Sequence, residues 1–161
     1  MAESSAADTE LDEVDRRILD VLAGHGRMPN SEVAARVGLA ESTCHKRIRA
    51  LVTRGVITRF TTEVDPGALG LGLEALIAIR LHAHARGGLR RFQTYLEGLP
   101  ATRHVYFLSG DRDFLVHVAV RDAAELRDLV SDTLSLREEV AATNTSLIFD
   151  HAPGRGLAAR R

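Results

Sequence analysis

The sequence has one cysteine, no apolar run long enough to cross a membrane, no basic leader and no net positive charge. Each shortage removes a class of protein. Cys44 alone cannot close an intrachain disulfide, which fits a reducing compartment and sets aside cysteine-rich metal sites. Nowhere do about 18 uninterrupted apolar residues occur, so no transmembrane helix is expected. The opening MAESSAAD is acidic, small and polar, without the basic and apolar regions of a secretion signal, and the cytoplasm is the expected location. A net charge of −1 gives no global pull on polyanions. Any nucleic-acid role therefore needs a local concentration of cations.

Such a concentration exists. From Ser42 to Thr62 the chain carries Lys46, Arg47, Arg49, Arg54 and Arg59 with no Asp or Glu, whereas Glu10 to Asp20 is rich in acids. The 161 residues, 45% hydrophobic and 27% charged, suit one soluble domain or two small ones.

Apolar Leu11, Val14, Ile18 and Val21/Leu22 recur at helical spacing, with Asp12 placed to cap the start. After Gly24-His25-Gly26 and Pro29, a short helix capped by Asn30 or Ser31 buries Val33, Ala34 and Val37 and stops at Gly38. A third helix is expected from about Glu41 to Arg54, with Cys44, Ile48 and Leu51 inward and Gly55 as its stop. The order is helix, short helix, glycine turn, basic helix.

Val56 to Val64 is β-branched and predicts a strand leading out of the helical unit, ended by Asp65-Pro66-Gly67 and a glycine-rich hinge. From Leu73 the period changes to two, as Leu73, Ala75, Ile77, Ile79 and Leu81 alternate with the residues between them. A helix on Leu89, Phe92, Leu96 and Leu99 follows, then strands near Arg103–Leu108 and Phe114–Val120, joined by a turn. A helix on Leu126, Leu129, Val130 and Thr133 precedes a last strand, Val140 to Phe149. The pattern βαββαβ is ferredoxin-like, with helices on one face of an antiparallel sheet. The fold class is therefore α+β. Both faces of several strands are apolar, as with Ile77 beside Leu76 and Val116 beside Leu115, so a homodimer is expected to cover the open face. The expected divisions are a flexible start (1–10), a helix-turn-helix unit (11–55), a strand linker (56–72), a regulatory and oligomerisation domain (73–150) and a flexible tail (151–161).

LDEVDRRILDVLAGHGRMPNSEVAARVGLAEST, RIRALVTRGVITRF and VDPGALG together resemble the Lrp/AsnC family of transcription regulators, and the likeness continues through SGDRDFLVHVAV and TNTSLIF. It covers roughly Leu11 to Phe149. The resemblance implies a winged-helix-like helix-turn-helix that binds double-stranded DNA, joined to an ACT-like regulatory (RAM) domain that responds to a small molecule, in many members an amino acid. It also implies homodimers, often assembled into octamers. One departure is Ala40, where the family commonly has a capping serine. Losing the cap costs about 1 kcal/mol, so either Ser42 caps a later start or tertiary packing holds the turn.

With Cys44, Ile48 and Leu51 inward, the helical period turns Ser42, Thr43, His45, Lys46 and Arg49 outward, with Arg47 to the side. Ser42, Thr43 and Lys46, near the helix start, suit base edges; Arg47, Arg49, Arg54 and Arg59 suit phosphates. A merely solvated basic face is the plainer alternative.

Ser109-Gly110-Asp111-Arg112-Asp113 reads locally as a hairpin turn. By resemblance it is a Gly-x-x-Asp effector loop, which implies Gly110, Asp111 and Asp113 as contacts for a zwitterion's carboxylate and ammonium groups. Thr143 and Thr145 share one face of the last strand and either join that site or serve as ordinary β-formers. His82-x-His84 on a strand would point two imidazoles one way but lacks a third ligand, so neither metal nor cofactor is expected. Cys44 belongs to the apolar stripe, Gly70-Leu71-Gly72 lacks the setting of a phosphate loop, and tail Arg155, Arg160 and Arg161 would meet DNA only from a disordered segment. Two rival functions share the architecture: a tetrapyrrole decarboxylase of the sirohaem pathway, which this fold also resembles, and an effector-free DNA-compacting protein.

Overall fold

Glu13–Gly24 forms α1, the first of three helices in one unit of the computed structural model, which describes residues 11–152. Asp12 caps it as expected: Asp15 N donates to Asp12 Oδ1 at 2.7 Å. α2 is Asn30–Val37, and here the cap expectation is corrected. Pro29 is the cap and Asn30 already lies in the helix, where its Nδ2 donates to the Glu41 carbonyl at 3.0 Å. The side chain expected to serve its own helix ties the start of α2 to the start of α3.

Gly38, at φ 74°, turns the chain between them, and Leu39 N reaches back to the Ala34 carbonyl at 2.9 Å. A residue with a Cβ is strained in that conformation. α3 is Glu41–Thr53, with Ala40 as an uncapped N-cap. The helix start is therefore not delayed to Ser42, and the Asn30 bond supplies the tertiary hold. Ile18, Val33, Ala34, Val37, Cys44 and Leu51 form the core, so the amphipathic stripes converge as their spacing predicts.

Residues 56–64 form no strand among the described residues, which corrects the strand linker. A β-branched run becomes a strand only when a neighbour supplies hydrogen-bond partners, and none pairs with it here. The chain divides into two compact units between Glu63 and Val64.

The second unit contains β1 (Leu73–Leu81), a 3-10 segment (Ala83–Gly88), α4 (Leu89–Glu97), β2 (Thr102–Phe107), β3 (Phe114–Val120), α5 (Ala123–Asp128) and β4 (Val140–Ile148). α5 starts on an Asp122 cap and continues as a π-helical turn, Leu129–Leu134. The sheet is antiparallel in the order β2-β3-β1-β4, the βαββαβ arrangement expected. Ile77 pairs with Val116 and Ile79 with Phe114; with Leu81, Phe92, Leu96 and Leu134 they pack the helix-covered face. The opposite face carries Leu76, Ala78 and Leu115, half-buried, and Tyr106, exposed.

His82 and His84 do not share a strand, because β1 ends at Leu81; their rings stack at 5.4 Å where the chain turns into the 3-10 segment. Residues 1–10 and tail Arg155, Arg160 and Arg161 lie outside the described residues.

Candidate DNA-contacting face and effector loop

Ser42, Thr43, His45, Lys46 and Arg49 are all exposed on the outer face of α3, as the position of Cys44, Ile48 and Leu51 requires. Neither Lys46 nor Arg49 has a hydrogen bond or ion pair among the described residues, so their charge faces solvent. Cys44 is fully buried beneath them, and burial, with the nearby Glu41 charge, pushes its thiol upward, away from the reactive thiolate.

Arg47 has partners within the chain. Its Nη1 donates to Asp12 Oδ2 at 2.7 Å and to Asp15 Oδ1 at 2.8 Å, so it joins α3 to α1. Hydrogen bonding to both carboxylates raises its own pKa. Asp12 is held below the ordinary carboxylate range by the Asp15 amide first and Arg47 second. Asp15 is 6% exposed and also has Arg54 Nη1 at 3.7 Å. Arg54 thus borders the same buried acid. Arg59 is exposed in the segment after α3, beside the groove formed with Leu19, Leu22 and Phe60. Charge composition located the cationic helix but missed its acidic partners; the three-residue spacing of Asp12 and Asp15 was the available signal.

The β2–β3 connection is a tight turn in which Leu108 N donates to the Asp113 carbonyl at 2.9 Å. Gly110 adopts φ 115°, a region that favours glycine. Asp111 is almost fully exposed, its side chain 88% accessible, with Arg112 Nε 3.5 Å away. Asp113 also has partners within the chain: it is 8% exposed, Leu81 N donates to its Oδ2 at 2.7 Å, and Arg86 Nε lies 3.3 Å from Oδ1. Its own amide donates to the Ile79 carbonyl at 2.9 Å, so Asp113 closes the end of the sheet where the β1–β4 register slips between Arg80 and Leu81. Neither its position nor its partners leave it open to an ammonium group. Arg86 was missed because it lies in a segment with no readable period.

Thr143 and Thr145 do share a face, opposite Ile79 and Ile77 respectively. β1 runs between them and the turn before β3, so one chain does not by itself gather Gly110, Asp111 and both threonines. Elsewhere on the sheet, His117 Nε2 lies 2.8 Å from Glu74 Oε2, and its ring stacks on His104 at 5.7 Å. Burial lowers the His117 pKa in spite of the Glu74 charge. Among the described residues no three His, Cys, Asp or Glu side chains are arranged to hold a metal ion.

A helix-turn-helix with an unpaired cationic outer face, on the same chain as a ferredoxin-like sheet, defines a DNA-binding regulator with a separate sensory domain. Residues 11–52 match the AsnC-type helix-turn-helix domain, and residues 74–153 match the Lrp/AsnC ligand binding domain. The chain belongs to the Lrp/AsnC family of transcriptional regulators. It is 50% identical over 145 residues to the HTH-type transcriptional regulator AldR of Mycobacterium tuberculosis, covering 90% of this chain and 81% of that one. The crystal structure of MtbAldR superposes with a TM-score of 0.78 at 44% identity, over 91% of this chain and 97% of the other. A Neisseria meningitidis transcriptional regulator, solved as a complex with L-Met, superposes at 0.82 with 27% identity, over 90% and 94%. The similar proteins carry the names of regulators rather than of enzymes. No helix among the described residues is long and apolar enough to cross a membrane.

Proposed function

We propose that this protein is a sequence-specific, homodimeric regulator that grips double-stranded DNA through α3 and changes its occupancy when an amino acid binds the sheet unit. The observation that carries the reading is the outer face of α3, where Lys46 and Arg49 stand without partners above a packed core. Ser42, Thr43, His45 and Lys46 lie toward the helix start, where side chains reach base edges. Arg49 and Arg59 supply phosphate contacts. A DNA target supports a cytoplasmic location.

Dimerisation is supported by the open sheet face of Leu76, Ala78, Leu115 and Tyr106, which would otherwise leave apolar surface in water. An octamer is the larger assembly of this reading. The effector site is assigned to Gly110 and Asp111 with Thr143 and Thr145 of a neighbouring subunit, because β1 separates the two sets within one chain. The L-Met complex of the Neisseria protein supports an amino acid as the ligand class.

A gel-shift titration of the full chain across salt tests the DNA reading. The expected result is a steep fall in affinity with salt and a retained preference for a palindromic site. Equal binding to every sequence would overturn it. Sedimentation with and without amino acids tests the assembly.

A further inference from the structure

We propose that the open sheet face is a proton-gated contact between two copies of this chain, with His104 and His117 as the gate. Neutral imidazoles allow the face to pair with itself, and charging both of them drives the copies apart. The gate rests on the dimer reading of that face and gives the pairing a condition under which it fails.

The register sets the two histidines within the apolar surface. His117 on β3 pairs with Leu76 of β1 on one side and with His104 of β2 on the other, and two residues along the strand Leu115 is flanked by Ala78 and Tyr106. Side chains two apart on a strand share a face, so both imidazoles stand among the residues that a second copy covers. Their rings stack at 5.7 Å, and the Tyr106 ring lies 6.2 Å from His104. The His117 side chain is 13% exposed even with the face open, whereas His104 is exposed.

Positive charge outweighs negative once the cluster is protonated. β1 supplies one carboxylate, Glu74, with Oε2 2.8 Å from His117 Nε2; β2 supplies His104 and Arg103; and His151, after β4, sets its ring 6.4 Å from that of His117. Asp65 and Asp150 line a small cavity together with Glu74 and His151. Glu74 balances one imidazolium. A second, on His104, lies beside the first in a surface that pairing removes from water, where like charges repel most strongly. A two-fold contact doubles the cost, because each copy brings the same pair. Burial already holds the His117 pKa below the ordinary value of about 6.5 in spite of Glu74. Covering the face deepens that burial, so separated copies bind protons more readily than paired ones. Pairing is therefore complete above the ordinary histidine value and is lost as pH falls below it.

Sedimentation equilibrium of the full chain at constant ionic strength tests the gate, with far-UV circular dichroism confirming the fold at each pH. Between pH 7.5 and pH 5.5 the dissociation constant of the dimer should rise about tenfold. His117→Gln, which cannot ionise, should hold the change within about twofold. His104→Gln, at an exposed position, removes one charge of the two and should cut the rise to about threefold. A parent dimer whose constant is the same at both pH values would overturn the gate and leave the dimer reading standing. A monomer at every pH would defeat both. A tenfold rise that persists in both variants would show that other groups carry it, and would overturn the role given to the histidine pair.

Discussion

Lys46 and Arg47 are neighbours with the same formal charge, and the fold uses them in opposite ways. Lys46 projects from α3 into solvent without a partner, whereas Arg47, one residue further round the helix, is clasped by Asp12 and Asp15 of α1. The sheet unit repeats the division with carboxylates. Asp111 is exposed at the tip of its turn, while Asp113, two residues on, is buried against Leu81 and Arg86. In each pair one charge stabilises the fold and the other remains available to a ligand. Helical phase decides the first case, and the position where a strand begins decides the second.

The largest expected effect comes from removing the acid that holds α3 to α1. Asp15→Ala removes the buried carboxylate that Arg47 shares with Asp12 and that Arg54 borders, and leaves a hole between α1 and α3. Losing one partner of a buried pair costs about 3–5 kcal/mol; because Arg47 is about one-third exposed, a loss of about 2–3 kcal/mol is expected in urea unfolding. A loss under about 0.5 kcal/mol would break the contrast between Arg47 and Lys46. Asp113→Ala comes next. It strands the Leu81 amide at the sheet's end, for about 2 kcal/mol, while Asp111→Ala should stay within about 0.5 kcal/mol. Equal costs for the two would show that the sheet closure carries no weight.

The same pairs show what was legible in the sequence. Apolar periodicity located the five α-helices and four strands of the described residues, because a stripe such as Val33, Ala34 and Val37 reports burial directly. The strand reading of Val56–Val64 failed because strand formation depends on a partner that local β-branching does not reveal. Asn30, with Ser31, was read as a candidate cap of its own helix, yet its amide reaches Glu41, a contact that spans the turn. For the candidate sites, the outward set on α3 followed from the helical period alone. The partners of Arg47 and Asp113 were not legible, because ionisable residues at a boundary go to whichever partner the tertiary fold brings nearer, and that partner lies 32 to 35 residues away.

DNA binding sharpens the comparison further. Arg49→Ala should lower operator affinity and flatten the dependence of log affinity on log salt by about 0.9, the signature of one lost phosphate neutralisation. Arg47→Gln should also lower affinity, by loosening the seat of α3, but leave that slope unchanged. If Lys46 makes only base contacts, Lys46→Ala will leave the slope unmoved while sequence preference relaxes. A flattened slope in Arg47→Gln would return Arg47 to the phosphate-binding set.

The smallest effect belongs to acid pH. Asp12 accepts the Asp15 amide and the Arg47 guanidinium, and both hold its folded pKa below the ordinary aspartate value of about 3.9. A depressed folded value means that the unfolded chain binds the proton more readily. The stabilisation is therefore complete above the ordinary value and disappears as pH falls through the lower folded one. Asp12→Asn keeps a capping side chain but cannot ionise. Thermal melts from pH 6 to pH 2 should show the variant losing less stability than the parent in the acid limb, below about pH 4. Parallel acid limbs would mean that Asp12 acts only as a cap, and that Asp15 alone holds Arg47 away from the DNA-facing side of its helix.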